Sequence, residues 1–216
     1  IAIHKICQQV MFDFKADGVF SIFNTDDPAM IDAFVEDKRV SLISFTGSTS
    51  IGNKVGIKVA SRFGRSILEL GGNNACIVDS TADLNMATEA ILFGAIGTAG
   101  QRCTSLRRLI VHESIVDSLI SSLKYAYAQI RIGDPLDLQN HMGPLIDKEA
   151  VQTYKDLIMR IKDLGGEIVY GGNVIESAGN FVEPAIVRAE VDWQILQLES
   201  FVPVLFIVTY SDIDEA

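Results

Sequence analysis

The sequence predicts an α/β fold in which helices cover a mostly parallel sheet. Helical and strand-like segments alternate along all 216 residues, a pattern typical of parallel strands joined by helices. Hydrophobic residues make up 48% of the chain and charged residues 21%, which is ordinary for a protein with a large core. The length allows one large domain, or one domain and part of a second.

The individual elements follow from the spacing of apolar residues and from the turn residues between them. Short apolar runs predict strands, and apolar residues spaced by three or four predict helices. Strands are predicted over residues 40–45, 66–70, 75–79, 107–112, 167–170, 181–187 and 203–210. Helices are predicted over residues 1–12, 52–63, 83–98, 114–131 and 148–164, with Ser114 as an N-cap and Gly165-Gly166 after the last one.

Charge and composition exclude several classes of function. The net charge of −10 would repel a phosphate backbone, so nucleic acid is not an expected partner. There is no run of about 18 apolar residues, so no membrane span is predicted. The chain starts at Ile1 without a visible targeting signal, which favours a cytoplasmic or mitochondrial protein whose N-terminus is missing.

The cysteines and histidines form neither a metal site nor a hydrolase triad. The three cysteines are too few and too widely spaced for a disulfide framework or zinc, so no metal is predicted. The histidines stand outside any motif, and a thiol mechanism would need a carboxylate as its base. These residues are Cys7, Cys76, Cys103, His4, His112 and His141.

The first chemical motif is FTGSTSIG, residues 45–52. It predicts a strand, a turn and a helix start, where unpaired N–H groups and the helix dipole suit a phosphate. Gly47 would let the backbone approach such a group, and Ser48 could offer its hydroxyl. Turns capped by serine are also common for structural reasons, so the motif alone leaves both interpretations open.

The second motif is LELGGNN, residues 68–74. Glu69 stands at the end of an apolar strand, and partial burial there would raise its pKa toward that of a general base. The alternative is an edge glutamate paired with a lysine or a backbone N–H group, and the segment by itself favours this alternative.

The third motif is GQRCTS, residues 100–105. Cys103 follows a predicted helix in a polar loop, where a neighbouring arginine and backbone N–H groups would favour a reactive thiolate. Most cysteines are instead small buried hydrophobic residues, and we expect Cys7 and Cys76 to be of that kind. The loop leaves both possibilities open for Cys103.

Taken together, these motifs resemble those of the aldehyde dehydrogenase superfamily. FTGSTSIG, LELGGNN, GQRCTS and ESFVP (residues 199–203) follow the family's order, and the separation of Glu69 and Cys103 also matches. The resemblance runs from about residue 40 to residue 206. The chain is most similar to the antiquitin branch, the α-aminoadipic semialdehyde dehydrogenases, in Asn73-Asn74, GTAGQRCT (97–104), AYAQIRIGDP (126–135) and GNFVEP (179–184).

The resemblance implies an aldehyde dehydrogenase-like fold cut at both ends. Residues 1–70 would be the C-terminal part of a Rossmann-like NAD-binding domain. Residues 71–216 would be the catalytic domain, incomplete at its C-terminus. The full-length protein would be a homo-oligomer, a dimer or a tetramer.

The resemblance also implies catalytic and substrate-binding roles. Cys103 would attack a small-molecule aldehyde to form a thiohemiacetal and then a thioester. Glu69 would activate the water that hydrolyses the thioester. Arg102 would bind the carboxylate of an amino acid semialdehyde, since guanidinium binds carboxylates in a bidentate way, and Thr104 would line the substrate pocket. A surface arginine is the alternative for Arg102.

The implied cofactor is NAD. Gly47 and Ser48 would contact its pyrophosphate, Glu199 its nicotinamide ribose, and Leu70 and Phe201 the region of the nicotinamide. Residues 23–30 depart from the family's pattern, because acidic residues and a proline replace the expected glycines. Acidic groups disfavour a 2′-phosphate, which favours NAD over NADP. A thiol esterase without cofactor, or a structural protein on the same scaffold, are the alternative functions.

Overall fold

The computed structural model describes residues 1–16 and 18–216. The chain forms two compact units, Ile1–Leu70 and Gly71–Ala216. Within the described ranges, no helix has both the length and the apolar character that a membrane crossing requires.

The first unit contains three helices and a two-stranded parallel sheet. Its elements are α1 (Ala2–Asp13), α2 (Pro28–Glu36), β1 (Leu42–Thr46), α3 (Thr49–Ser61) and β2 (Arg65–Glu69). The strands pair in parallel register, from Leu42 opposite Arg65 to Thr46 opposite Glu69. Four buried aliphatic side chains from α2, β1 and α3 form its small core: Val35, Ile43, Val55 and Val59.

Helix α2 is an element that the sequence analysis did not predict. It begins where the acidic residues and proline replace the expected glycines. The Asp27 carboxylate caps it by accepting a hydrogen bond from the Ala29 N–H at 2.9 Å, and Pro28 occupies the first turn. Proline is favoured there because that position needs no N–H donor. A helix start therefore accounts for both Asp27 and Pro28.

The second unit is a five-stranded sheet with helices packed on it. Its elements are β3 (Asn74–Val78), α4 (Leu84–Ile96), a 3-10 turn (Gly97–Gly100), β4 (Leu106–His112), α5 (Val116–Tyr127), α6 (Lys148–Asp163), β5 (Glu167–Tyr170), β6 (Ala185–Arg188), a second 3-10 turn (Gln194–Gln197) and β7 (Val204–Tyr210). The strand order is β3-β4-β7-β6-β5. Only β5 runs antiparallel to its neighbour, so the predicted α/β class and mostly parallel sheet are confirmed.

Strand β7 lies at the centre of this sheet, and all its residues except Thr209 are buried. A parallel strand covered on both faces is expected to be apolar throughout. The preceding segment, residues 199–203, leads directly into this central strand.

Two local predictions were wrong. Ser114 does not cap α5; Ile115 is the N-cap residue, and the Ser114 hydroxyl lies 2.8 Å from His112 Nδ1. The strand predicted over 181–187 is the shorter β6, because Pro184 has no N–H to donate to a ladder. Val182 forms only an isolated bridge with Val174.

The expected burial of two cysteines is only partly observed. Helix α1 has no buried residue, and Cys7 is half-buried, so the prediction of a core thiol there was wrong. Cys76 on β3 is also half-buried but packs against the main core. Burial raises the pKa of the Cys76 thiol.

Candidate active site

The sheet topology brings three distant segments together in the second unit. Residues 71–73, 97–105 and 199–203 directly precede β3, β4 and β7, which are adjacent and parallel. The amino ends of adjacent parallel strands meet at one edge of a sheet. Cys103 and Glu199 therefore belong to one site although 96 positions separate them in the chain.

The loop that carries Cys103 starts with three consecutive residues in the left-handed region. The φ angles are 54° at Thr98, 52° at Ala99 and 71° at Gly100. These residues turn the chain sharply between α4 and Cys103, whose side chain is exposed. Left-handed residues other than glycine are strained and persist only when their surroundings hold them.

Gln101 supplies part of that support. Its Oε1 accepts a hydrogen bond from the Ile146 N–H at 2.8 Å, and its Nε2 donates to the Pro144 carbonyl at 3.3 Å. Two hydrogen bonds therefore connect the Cys103 loop to the segment before α6.

Gly100 packs directly against the backbone of the Glu199–Pro203 segment. A Cβ at this position would lie 2.7 Å from the Val202 carbonyl carbon and 2.8 Å from the Pro203 nitrogen. Real Cβ atoms do not approach backbone so closely, so only glycine fits without a shift. The thiol loop and the Glu199 segment are therefore in close contact.

Asn74 and Ser105 fix the two sides of Cys103. The Asn74 amide donates to the Cys103 carbonyl at 2.7 Å and to the Ser105 carbonyl at 3.0 Å. The buried Ser105 hydroxyl accepts a hydrogen bond from the Arg102 N–H at 3.1 Å. The backbone around Cys103 is therefore held while its thiol stays open to solvent.

Glu199 is held through one carboxylate oxygen. Its Oε1 accepts a hydrogen bond from the Gly72 N–H at 3.2 Å, and 22% of its side chain is exposed. A Cβ on Gly71 would lie 1.7 Å from Oε2, so the first glycine of the Gly71-Gly72 pair makes room for the carboxylate. Phe201 follows at φ 54°, with 42% of its surface exposed.

Arg107 is a residue of this site that the sequence analysis missed. It is only 2% exposed, and its guanidinium lies 3.7 Å from Glu199 Oε1. Burial lowers its pKa, and the Glu199 carboxylate partly offsets this effect. The sequence carries a signal for this residue, because Arg107 stands in alternation with the apolar Leu109 and Val111. All three side chains are buried in β4.

Arg102 turns away from solvent toward α4. Its Nη2 donates to the Phe93 carbonyl at 3.1 Å, and its guanidinium carbon lies 5.0 Å from the centre of the Phe93 ring, within the range of cation–π attraction. Gly97 leaves the space, since a Cβ there would lie 1.9 Å from Nη2. An arginine that packs against α4 and one that binds a substrate carboxylate are both compatible with these contacts.

A cavity lies beside Arg102. Its volume is about 630 Å³, and its lining includes Phe93, Ile96, Gly97, Arg102, Ile130 and His141. Concave, mostly apolar pockets with few polar groups are the usual form of small-molecule sites. Thr104 is exposed next to Cys103.

The remaining predicted residues belong to the first unit. Ser48 caps α3 through its hydroxyl, which accepts from the Ile51 N–H at 3.3 Å. Gly47 donates its N–H to the Glu69 carbonyl at 3.0 Å, and Leu70 packs its side chain against Gly52. The Glu69 side chain is exposed.

Metal ligands do not cluster in residues 1–16 or 18–216, where no group of three or more His, Cys, Asp or Glu side chains is placed to hold an ion. In the second unit, the site brings together an exposed thiol, two guanidinium groups and a carboxylate.

The chain was compared with known protein families. The aldehyde dehydrogenase family matches residues 1–216, the whole chain. This chain belongs to the aldehyde dehydrogenase family. The resemblance inferred from the four motifs is thereby confirmed.

Individual relatives place it near one branch of aldehyde dehydrogenases. The chain is 45% identical to bovine (Bos taurus) α-aminoadipic semialdehyde dehydrogenase over 216 residues, which is 100% of this chain and 40% of the relative. It is 46% identical to aldehyde dehydrogenase family 7 member A1 of Pisum sativum over 184 residues, 85% of this chain and 36% of the relative. The chain thus spans about 40% of the length of such relatives.

Solved structures support the fold. Betaine aldehyde dehydrogenase from Staphylococcus aureus in complex with NAD⁺ matches with a TM-score of 0.82 and 30% identity, over 85% of this chain and 38% of that one. The predicted aldehyde dehydrogenase-like fold is therefore confirmed.

Proposed function

We propose that the protein containing this chain oxidises a small-molecule aldehyde to the carboxylate, with NAD as the oxidant. The observation on which this depends is the exposed Cys103 thiol, held on a strained loop by Asn74 and Gln101 next to the segment of Glu199. A scaffold protein would need neither an accessible thiol nor a partly exposed carboxylate at such a site.

Cys103 would act as the nucleophile. Its sulfur attacks the aldehyde carbon, a C–S bond forms, and the carbonyl oxygen becomes the oxygen of a thiohemiacetal. The Cys103 N–H is the candidate donor to that oxygen, and the Asn74 amide holds the backbone beside it by donating to the Cys103 carbonyl. Loss of hydride from the same carbon leaves a thioester, which water cleaves to the carboxylic acid and the free thiol.

Each unit offers residues that suit one part of an NAD molecule. When bound, NAD accepts the hydride. One oxygen of Glu199 accepts from Gly72, which leaves the other for the ribose hydroxyls, and the exposed face of Phe201 offers contact to the nicotinamide. Gly47 and Ser48 stand at the start of α3, where helix N–H groups suit the pyrophosphate. The motif order further assigns Leu70 to the nicotinamide region.

Glu69 would serve as the base that activates the hydrolytic water. Its support is the LELGGNN motif and family membership. An exposed carboxylate at a strand end has free oxygens with which to accept a proton.

The substrate we propose is an amino acid semialdehyde, such as α-aminoadipic semialdehyde. Arg102 lines the cavity of about 630 Å³ and directly precedes Cys103 in the chain, and a guanidinium there would bind the substrate carboxylate. The similarity to α-aminoadipic semialdehyde dehydrogenases supports the same class. Thr104 would line the pocket near the reacting carbon.

The same family membership supports three further proposals. Residues 1–70 would be the C-terminal part of the NAD-binding domain, and residues 71–216 most of the catalytic domain. The protein would be a homo-oligomer, a dimer or a tetramer. It would act in the cytoplasm or in mitochondria.

The first test is aldehyde-dependent NADH formation by the complete gene product. Cys103→Ala should abolish it, and Cys76→Ala on β3 should retain it as the matched control. Ester hydrolysis that depends on Cys103, without NADH formation, would instead identify a thiol esterase. Turnover that survives Cys103→Ala would refute the thiol mechanism.

The second test concerns the substrate. Arg102→Ala should raise KM for α-aminoadipic semialdehyde about 10-fold or more, because a charge-assisted bond contributes about 1.5–3 kcal/mol. KM for an uncharged aliphatic aldehyde should change little. An equal effect on both substrates would contradict carboxylate recognition by Arg102.

A further inference from the structure

Arg107 forms an unusual set of contacts for a side chain in a sheet. Its Nη1 donates to the carbonyls of Gly72 and Ser105, both at 3.1 Å. Its Nη2 donates to the carbonyls of Gly100 and Arg102, at 3.2 and 3.0 Å. Three of these four acceptors belong to the loop that carries Cys103.

The same guanidinium contacts the third segment of the site. Its Nη2 lies 3.7 Å from Glu199 Oε1, and its central carbon lies 5.3 Å from the centre of the Phe201 ring. Glu199 Oε1 is also the oxygen that accepts from Gly72. Arg107 therefore contacts all three segments that precede β3, β4 and β7.

Neither apolar side chains nor lysine could replace these contacts. Arginine presents five donors in a planar fork, whereas lysine has three donors at one point. A buried charge is costly unless it is paired and hydrogen-bonded, and Glu199 together with four carbonyls provides that environment. Burial lowers the pKa of Arg107, and the Glu199 carboxylate offsets part of this effect.

We propose that Arg107 is a positioning residue that holds the Cys103 loop and the Glu199 carboxylate in one arrangement. It directs Glu199 Oε1 inward, so that Oε2 is left to accept the ribose hydroxyls. This role rests on the proposed function, since it assumes that Glu199 binds the cofactor and that Cys103 is the nucleophile.

The neighbouring Arg108 provides a matched control. It is also on β4, but its guanidinium donates only to the Asn73 carbonyl. Arg107→Lys and Arg108→Lys thus make the same chemical change at adjacent positions, and only one of them removes contacts to the Cys103 loop and Glu199.

The test measures the dissociation constant of NAD and the kcat of aldehyde oxidation in the complete gene product. Arg107→Lys should lower kcat about 100-fold, since small displacements of reacting groups have effects of this size, and Arg108→Lys should not. Arg107→Met should weaken NAD binding when Glu199 is present. In a Glu199→Gln background it should add little further loss, because coupled residues are non-additive.

Three outcomes would overturn the proposal. The first is that Arg107→Lys behaves like Arg108→Lys in both measurements. The second is that the effects of Arg107→Met and Glu199→Gln on NAD binding multiply independently. The third is that neither Arg107 variant folds, as judged by circular dichroism, which would assign Arg107 to stability alone.

A separate readout distinguishes this inference from the proposed function. The rate of Cys103 alkylation by iodoacetamide needs neither NAD nor an aldehyde. Arg107→Met should change it relative to Arg108→Met, because the loop that carries the thiol loses three hydrogen bonds from Arg107. A wild-type protein without dehydrogenase activity would refute the proposed function, and the alkylation rates would still decide the role of Arg107.

Discussion

Replacing Gly100 by alanine should destabilise the protein in two ways, through the left-handed backbone conformation and through steric overlap of the new Cβ. The residue has φ 71°, and an alanine held there costs about 1–2 kcal/mol. Its Cβ would also meet the Val202 and Pro203 backbone at 2.7–2.8 Å, and overpacking of this kind costs about 1–3 kcal/mol. Gly100→Ala should therefore lower the free energy of unfolding by about 2–5 kcal/mol.

Gly165→Ala is the control for the backbone conformation alone. Gly165 follows α6 with φ 76°, and no atom outside its neighbours lies within 4 Å of a Cβ at this position. Only the conformational cost of about 1–2 kcal/mol applies. Urea unfolding can be followed by the fluorescence of Trp193, the single tryptophan among the 216 residues, which packs against the core of the second unit.

The two variants should also differ in activity. Gly100→Ala pushes the Cys103 loop away from the Glu199 segment, so aldehyde oxidation should fall even where the protein remains folded. Gly165→Ala should keep its activity. Equal destabilisation by the two substitutions, with full activity in both, would show that the contact between Gly100 and Val202 is unimportant.

Two further predictions concern the cofactor carboxylate and alkaline pH. Gly71→Ala should raise the dissociation constant of NAD about 10-fold, because its Cβ would displace Glu199 Oε2. The control is Gly143→Ala, whose Cβ meets Pro135 at an ordinary 3.5 Å and which should leave the dissociation constant unchanged. Unchanged NAD affinity in calorimetry of Gly71→Ala would contradict the assignment of Glu199. Burial raises the pKa of Tyr127 and of Tyr154. The unfolded chain therefore releases these protons first, and the free energy of unfolding should be level below the ordinary tyrosine pKa of about 10 and fall above it. Urea titrations at increasing pH measure this slope, and a rise in stability above that pH would refute it.

Much of the fold could be predicted because it is encoded locally. Strands such as β7 are continuous apolar runs, and α6 shows its apolar face and its final glycine directly in the sequence. Helix α2 was missed because residues 23–30 were interpreted only as a departure from the family's glycines, although Asp27 and Pro28 are ordinary helix-start residues. Ser114 was assigned wrongly as a cap because His112, two residues earlier, offers its hydroxyl another partner.

The sequence by itself determined which residues carry the reactive and cofactor-binding groups of the predicted site. Cys103, Glu69, Glu199 and the glycine motifs are identified by residue type and order, and these properties do not depend on folding. They were sufficient to indicate the aldehyde dehydrogenase family, which the match over the whole chain then confirmed.

Only the tertiary structure decided how these groups are held. Gly72 and Glu199 share a hydrogen bond across 127 positions of sequence, and Arg107 joins three segments that meet because β3, β4 and β7 are neighbours in the sheet. Such contacts depend on strand order and register, which arise from the packing of the whole core and not from local propensity. An arginine in an apolar strand could be noticed in the sequence, but its partners were fixed only when parallel strands placed their amino ends side by side.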